Sequence, residues 1–452
     1  MKQTFTHRQK IKQLLFILLP VLVTQLTMFA MSFFDIFMSG HYSSVDLAGV
    51  AIGTSLWIPV QTGLGGILFA VTPMIAQHLG AGGEDRVSFQ VVQGLFLAVV
   101  ISAVVIVAGL LLTDPILHLM NLEPEVRSIA KRYLTAMAFG VPAFFLYTVL
   151  RCFFDGLGQT RISMMISLIS LPVNALLNVV FIYGKFGAPE MGGAGTGVAT
   201  ATTYWVILSL AVWFAIKRKP FTAFGVFSRV YPVSLSAWKE LLAIGVPIGL
   251  AIFFETSIFS AVTMLMSEFN TITIAAHQAA LNFASFLYMI PLSISMGLTI
   301  VVGFEVGAGR FKDARQYARL GITLAITMAA LCTVVLFLFD KQIAGLYTRE
   351  PDVLELTRHF LAYAIFFQLA DAIAAPVQGV LRGYKDVNVT FFVALLSYWA
   401  IGLPLGYVLA RFTSFGPFGF WIGLITGLML GAAGLFARLA YTQKRTAATA
   451  AL

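Results

Sequence analysis

Long apolar stretches separated by short polar connectors run through the whole chain. With soft edges they fall at about 14–39, 51–79, 90–112, 129–150, 162–184, 193–216, 240–266, 276–304, 317–339, 359–381, 389–410 and 418–437. A membrane helix needs about 20 mostly apolar residues, and each stretch meets that length. The runs are continuous rather than alternating, which argues against a transmembrane β-barrel. Prolines recur inside them (Pro20, Pro142, Pro172, Pro247, Pro291, Pro376 and Pro404). Membrane helices tolerate such prolines because neighbours satisfy the freed backbone groups. The first run, Leu14 to Phe34, is too long for a signal-peptide core and has no small-residue cleavage site after it, so it is expected to stay in the membrane. The pattern predicts an all-α polytopic membrane protein with twelve transmembrane helices.

Composition removes the remaining classes. Of 452 residues, 59% are hydrophobic and 11% charged, with a mean hydropathy of +0.89. Soluble domains carry about 25% charge, so a soluble enzyme is excluded. Two cysteines, Cys152 and Cys332, stand far apart in no metal or redox spacing. No Gly-x-x-x-x-Gly-Lys-Ser/Thr run occurs, so ATP does not drive the protein from within the chain. No cofactor is expected.

Charge sets the orientation. With the amino terminus inside, 21 of the 29 Lys and Arg residues fall on the inside, including Lys2 and the run Lys217, Arg218, Lys219, Arg229 and Lys239. The positive-inside rule then places both termini in the cytoplasm and the chain in the inner, cytoplasmic membrane. The same bias accounts for the net charge of +9, so no nucleic-acid partner is needed.

Sliding the chain on itself shows a repeat at an offset of 227 residues. Pro20 lies over Pro247, Thr72 over Thr299, and Gly80-Ala81-Gly82 over Gly307-Ala308-Gly309. Farther on, Leu150-Arg151 and Asp155 align with Leu381-Arg382 and Asp386, which suggests a register slip of four. Six spans per half put both halves in the membrane in the same orientation, a design used by alternating-access transporters with a site between lobes. The expected organisation is an amino-terminal lobe over 1–216, a basic cytoplasmic linker over 217–239, a carboxyl-terminal lobe over 240–437 and a cytoplasmic tail over 438–452.

Three acids fall inside spans: Asp35, Glu255 and Asp371. On this reading no Lys or Arg lies in a span interior beside them. A charge near a helix centre costs about 2.5–3.5 kcal/mol on insertion scales, so these carboxyls must be protonated, cation-bound or in contact with water. Gln368, Asp371, Ala375 and Gln378 follow helical spacing and form a polar stripe, as do Gln278, Asn282 and Ser285 after His277. Asn174 and Asn178, one turn apart behind Pro172, are candidate partners for Asp35. A carboxyl in low dielectric can exchange a proton or a hard cation, and it attracts organic cations. One site that holds the coupling ion or the substrate, but not both well, is the least machinery antiport needs. Phe is abundant (40 residues) and Met numbers 16. Such side chains suit a surface that accepts dissimilar apolar molecules, although most face lipid on this reading.

The segment Phe33-Phe34-Asp35-Ile36-Phe37-Met38-Ser39-Gly40 resembles the multidrug and toxic compound extrusion (MATE) family. So do Tyr183-Gly184-Lys185-Phe186-Gly187-Ala188-Pro189-Glu190, Ala275-Ala276-His277-Gln278 and Leu381-Arg382-Gly383-Tyr384-Lys385-Asp386. Glu255 and Asp371 make the likeness strongest to its NorM-type bacterial branch. The resemblance implies a V-shaped pair of six-helix lobes, probe-accepting toward lipophilic cationic drugs or dyes, that exports them against Na⁺ or H⁺. It implies that Glu255 and Asp371 form the cation site of the second lobe, taking Na⁺ if a metal is used. Gln278, Asn282, Gln368 and Gln378 are supporting polar groups on this reading. Asp35, with Asn174 and Asn178, would be the proton-coupling group of the first lobe. Two departures stand out. Phe367 replaces a tyrosine often found in Na⁺-coupled relatives, and Asn178 stands where some relatives carry a second acid. Membrane lipid and the drug are the only partners expected, with the chain a monomer.

Two other readings fit less well. A lipid-linked oligosaccharide flippase would want Arg and Lys in its spans for pyrophosphate. A membrane-embedded transferase would want a cluster of catalytic side chains, and His277 has no acid near it in sequence.

Overall fold

The computed structural model describes residues 1, 3–120, 122–229, 231–266 and 268–449, the last by its backbone only. Lys2 of the charge count and the last three residues of the expected tail lie outside them. Among the described residues, twelve helices are long and apolar enough to cross a membrane. They are α1 (His7–Tyr42), α2 (Ser44–Gly80), α3 (Glu84–Leu119), α4 (Pro124–Gly156), α5 (Thr160–Tyr183) and α6 (Ala194–Lys217). Then come α7 (Leu235–Met266), α8 (Thr271–Gly307), α9 (Phe311–Tyr347), α10 (Pro351–Gly383), α11 (Asn388–Phe412) and α12 (Phe418–Ala448). Each falls on one expected span, and most run past its apolar stretch by a turn or two. Helix α2 is interrupted between Leu68 and Val71, just after Gly65-Gly66. Helix α11 carries a π-helical segment, Leu395–Gly402, immediately before Pro404. Proline cannot donate to an earlier carbonyl, and the wider turn accommodates the gap.

The chain divides into two compact units, one holding Val23–Gly245, the other Met1–Leu22 with Val246–Leu452. This differs from the expected division at a linker over 217–239, because two helices are shared. The start of α1 belongs to the second unit, where Leu14, Ile17 and Leu18 are buried in one core with Ala251, Ile258 and Leu298. The start of α7 belongs to the first, where a Cβ on Gly245 would strike the Ile67 backbone. Apolar periodicity marks a helix but does not say which core buries each of its turns.

The repeat holds one register throughout. Helix α2 ends with Gly82 at φ +73°, and α8 with Gly309 at φ +72°. Helix α4 ends with Gly158 at φ +75° and α10 with Lys385 at φ +59°. In the latter pair the closing hydrogen bonds are also equivalent. Gly158 N donates to Asp155 O (2.8 Å) and Gln159 N to Phe154 O (2.9 Å), as Lys385 N does to Arg382 O and Asp386 N to Leu381 O (2.9 Å each). Packing agrees: a Cβ on Gly156 would meet Ile75 at 2.9 Å, and one on Gly383 would meet Val302 at 3.0 Å. The expected slip of four is therefore corrected. Similar letters, Leu-Arg and Asp, occupy different rungs of equivalent helices, and backbone geometry fixes Arg382 opposite Asp155.

Within each unit one helix forms the centre. In the first, α4 packs on α2, α3 and α6; in the second, α10 packs on α8, α9 and α12. Helices α3 and α9 are the least buried of each set, with Leu110, Leu111, Val334 and Phe337 exposed.

Candidate functional site

Asp35, on α1, is the hub of a closed hydrogen-bond ring in the first unit. Asn178 of α5 donates from Nδ2 to Asp35 Oδ1 (2.6 Å) and to Asn174 Oδ1 (3.2 Å). Asn174 Nδ2 donates to Thr200 Oγ1 (3.3 Å), and the Thr200 hydroxyl on α6 donates to Asp35 Oδ2 (3.0 Å). Both carboxylate oxygens accept and neither donates, so the ring is arranged for the ionised acid. The two asparagines are fully buried, and Asn178 Oδ1 has no hydrogen-bond partner among the described residues. A proton arriving on Asp35 makes it a donor and sets it against one of its present donors. The ring as it stands satisfies the ionised acid, and protonation would require its hydrogen bonds to rearrange. Thr200 is the member that sequence reasoning missed. Its signal was the hydroxyl run Thr200, Thr202 and Thr203 in an otherwise apolar helix.

The second unit holds Glu255 of α7 and Asp371 of α10. Gln378 Nε2 donates a short hydrogen bond to Glu255 Oε1, and Arg382 Nη2 donates to Gln378 Oε1 at 3.3 Å. Asp371 and Gln368 are buried on the same helix; Gln368 Nε2 donates to the Leu287 carbonyl (3.3 Å), and its Oε1 has no hydrogen-bond partner among the described residues. Tyr288 of α8 and Tyr398, on the π-helical segment of α11, lie within electrostatic reach of both carboxyls. Phe367 is buried edge-on to Phe259 and Trp421, and contributes no oxygen. The oxygen-bearing groups that could hold a hard cation here are Glu255, Asp371, Gln368 and the two phenols.

One expectation fails. Arg382, assigned to a connector, is a buried residue of α10 that interacts electrostatically with Glu255. Arg151 is likewise buried in α4, donating from Nη2 to Gln25 Oε1 (2.9 Å) and lying 3.5 Å from Asp155. The carboxyls are therefore not all without a cation in their own unit. The apolar stretch ended before the helix did, and hydropathy alone put both arginines outside.

The remaining candidates lie elsewhere. Asn282 is exposed and accepts from the Tyr347 hydroxyl at 3.0 Å, and Gln278 is exposed on the same helix. His277 is buried, accepting from the Trp421 indole at Nδ1 (3.1 Å). Since an indole only donates, the imidazole proton sits on Nε2, where it reaches Thr263 Oγ1 (3.2 Å). That arrangement ties α7, α8 and α12 together and leaves no free nitrogen for catalysis.

The acids of the two units are not repeat equivalents. At the offset of 227, Glu255 matches Met28, and Gln378 matches Arg151. The contact is retained while its chemistry changes: Arg151 Nη1 reaches Met28 Sδ at 3.5 Å where Gln378 reaches Glu255. Asp35 in turn matches Val262, a buried core residue.

Comparison with known proteins bears on the whole chain. The MatE family model matches twice, over residues 20–180 and 247–408, and the two matches begin one repeat apart. The "Probable multidrug resistance protein NorM" of Bacillus subtilis (strain 168) is 57% identical over 98% of each chain. The protein of the same description from Halalkalibacterium halodurans is 55% identical, covering 98% of this chain and 97% of its own. Among solved structures, the eukaryotic MATE transporter AtDTX14 superposes with a TM-score of 0.86 at 21% identity, over 98% of both chains. An outward-facing multidrug resistance MATE family transporter of the MOP superfamily gives 0.86 at 18% identity, over 99% of both.

Proposed function

The chain belongs to the MatE family, a multi-pass membrane transporter and not an enzyme, and on that premise we propose that it is a secondary multidrug efflux antiporter. It exports lipophilic organic cations in exchange for Na⁺ or H⁺ by alternating access. It lies in the cytoplasmic membrane with both termini inside, an orientation that the Lys and Arg bias supports. The observation that carries this reading is the pairing of Glu255 and Asp371 in one unit with a separate, ring-bonded Asp35 in the other. Carboxyls inside membrane spans are expensive and mark ion or substrate pathways. The relatives described as multidrug resistance proteins support the substrate class.

In the cycle, the acids facing outward take up the coupling ion and the drug leaves. Facing inward they release the ion, and the negative charge that remains attracts the next cationic drug. Asp35 serves this through the hydrogen bonds it accepts from Asn178 and Thr200. Glu255 does so beside Arg382 and Gln378, whose charge and hydrogen bond oppose the cost of burying its ionised form. The test is uptake of a fluorescent lipophilic cation by everted vesicles under a Na⁺ gradient or a pH gradient imposed alone. Glu255→Gln and Asp371→Asn should abolish uphill transport while the protein stays in the membrane. Wild-type transport by either neutral variant would sink the proposal. Drive by Na⁺ alone would assign the oxygens of Glu255, Asp371 and Gln368 to the metal; drive by pH alone would make the acids proton carriers.

A further inference from the structure

Helix α5 buries polar side chains and exposes apolar ones. Six of the eight residues it buries are polar: Thr160, Ser163, Ser167, Ser170, Asn174 and Asn178. Their spacings of three and four put them on one face of the helix. Met165, Leu168, Ile169 and Leu176 are exposed on the opposite side. At 1.5 Å per residue, Ser163 to Asn178 covers about 22 Å of a hydrocarbon core ~30 Å thick.

The outer end of this face is the ring around Asp35. The inner end is a separate network. Ser163 Oγ donates to Asp155 Oδ1 (2.7 Å), and Arg151 of α4 lies 3.5 Å from Asp155 while donating to Gln25 of α1 (2.9 Å). Between the two ends, Ser167 is hydrogen-bonded to Tyr147 of α4. Ser170 Oγ donates to Met31 Sδ of α1 (3.3 Å) and to the Ser167 carbonyl (2.7 Å). Hydrogen-bonding groups therefore follow one another at every turn of α5 from Asp155 to Asp35.

Two observations separate this face from polar glue between helices. The first is the choice of acceptors. Helix α1 sets thioethers against the donors: Met31 against Ser170, and Met28 at 3.5 Å from Arg151 Nη1. Sulfur is a weak acceptor, so water competes with it for these donors. The second is Asn178 Oδ1, at the head of the stripe. Its side chain is fully buried, and it has no hydrogen-bond partner among the described residues. A buried acceptor left unmet costs about 1–3 kcal/mol, and buried water is the usual partner of such atoms.

We propose that this face of α5 lines a chain of water through which the coupling proton leaves Asp35 for the cytoplasm. The proton passes from the carboxyl to water, Asp35 is left ionised within its ring, and the proton is released at the Asp155 end, on the side assigned to the cytoplasm. Serine hydroxyls suit the lining because each can donate and accept at once. Arg151 and Asp155 offset one another's charge at the exit, so it presents no net charge to a departing proton. The proton's part rests on the antiport reading with H⁺ as the coupling ion; the water does not.

The first test needs no variant. With the full chain in lipid nanodiscs, an X-ray pulse makes hydroxyl radicals from water in place, and oxidation of each methionine is read by mass spectrometry. Met31 should oxidise severalfold faster than Met266, which is fully buried in the apolar core of the second unit. Equal rates would mean a dry seam and overturn the proposal. Ser170→Leu replaces the hydroxyl with a larger apolar side chain, and its Met31 should oxidise no faster than Met266. The same variant should lower the maximal rate of pH-driven dye export severalfold, with little change in the dye concentration that gives half-maximal export. Leu168→Ala, on the exposed face of α5, should match wild type in both measurements. A dry Met31 in Ser170→Leu with pH-driven export at the wild-type rate would overturn the route's part in proton release. Export driven by Na⁺ alone would overturn the proton's part, and Met31 in the wild-type chain would still decide whether the water is there.

Discussion

Asn178 gives away both amide hydrogens, one to Asp35 and one to Asn174, and receives nothing on its own oxygen. A hydrogen bond to a charged group is worth about 1.5–3 kcal/mol. Removing the amide should therefore hurt the ionised state of Asp35 and leave the rest of α5 in place. Asn178→Ala is expected to lower coupled dye export by about 10- to 100-fold, since each 1.4 kcal/mol is tenfold, with unchanged abundance in the membrane. Asn282→Ala, which loses only the exposed bond to Tyr347, should export at close to the wild-type rate. Equal losses in the two variants would show that the ring around Asp35 has no special part. The three acids were legible in the sequence because a charge in an apolar run has a large, local cost. Thr200, Tyr288 and Tyr398 were not, because hydroxyls and phenols are common in membrane helices and only the fold brings these beside a carboxyl. Arg382 was misplaced for another reason: its side chain is buried by helices distant in sequence, which hydropathy along one helix does not register.

At the scale of elements, small residues set how close the helices come. A Cβ on Gly379 of α10 would collide with the Ser295 carbonyl of α8, and the same two helices are joined by Thr299 Oγ1 donating to Gly379 O at 2.9 Å. Lipid gives helices no hydrophobic drive to associate, so such close approach and interhelical hydrogen bonding carry the packing. Gly379→Leu should force α8 and α10 apart, cost about 1–3 kcal/mol or more as an overpacked core does, and lower the melting temperature in detergent. Gly345→Ala on α9, where a Cβ meets nothing within 4 Å, should leave that temperature unchanged or raise it slightly. In the first unit the counterpart pair is Thr72 and Cys152, whose side chains are hydrogen-bonded. The sequence revealed that the halves repeat but not their full register. Letter matches are weakest where one half has exchanged glycine for lysine at 385 or arginine for glutamine at 378. Backbone turns keep the register that side chains have lost. The sharing of α1 and α7 was hidden for a similar reason, since one uninterrupted apolar run serves two cores.

At the scale of the whole molecule, the placement of acids at non-equivalent rungs makes the two units chemically different machines on one repeated frame. If Asp35 loads one ion and the Glu255–Asp371 pair loads another, two positive charges enter for each monovalent drug cation that leaves. The exchange then moves one net charge inward per cycle. Moving one charge through 100 mV is worth about 2.3 kcal/mol, or roughly a 50-fold change in the drug ratio the protein can sustain. Asp35→Asn removes one ion from that count and leaves a one-for-one, electroneutral exchange through the second unit. In proteoliposomes clamped at 0 or −100 mV by potassium and valinomycin, the wild-type dye gradient should therefore steepen with voltage. The Asp35→Asn gradient should be shallower and indifferent to voltage. A wild-type gradient that ignores voltage would mean that the two sites do not both load ions in one turnover. A variant that keeps the wild-type voltage response would mean that the second unit alone carries all the coupling charge, with the ring around Asp35 serving to hold α1, α5 and α6 together.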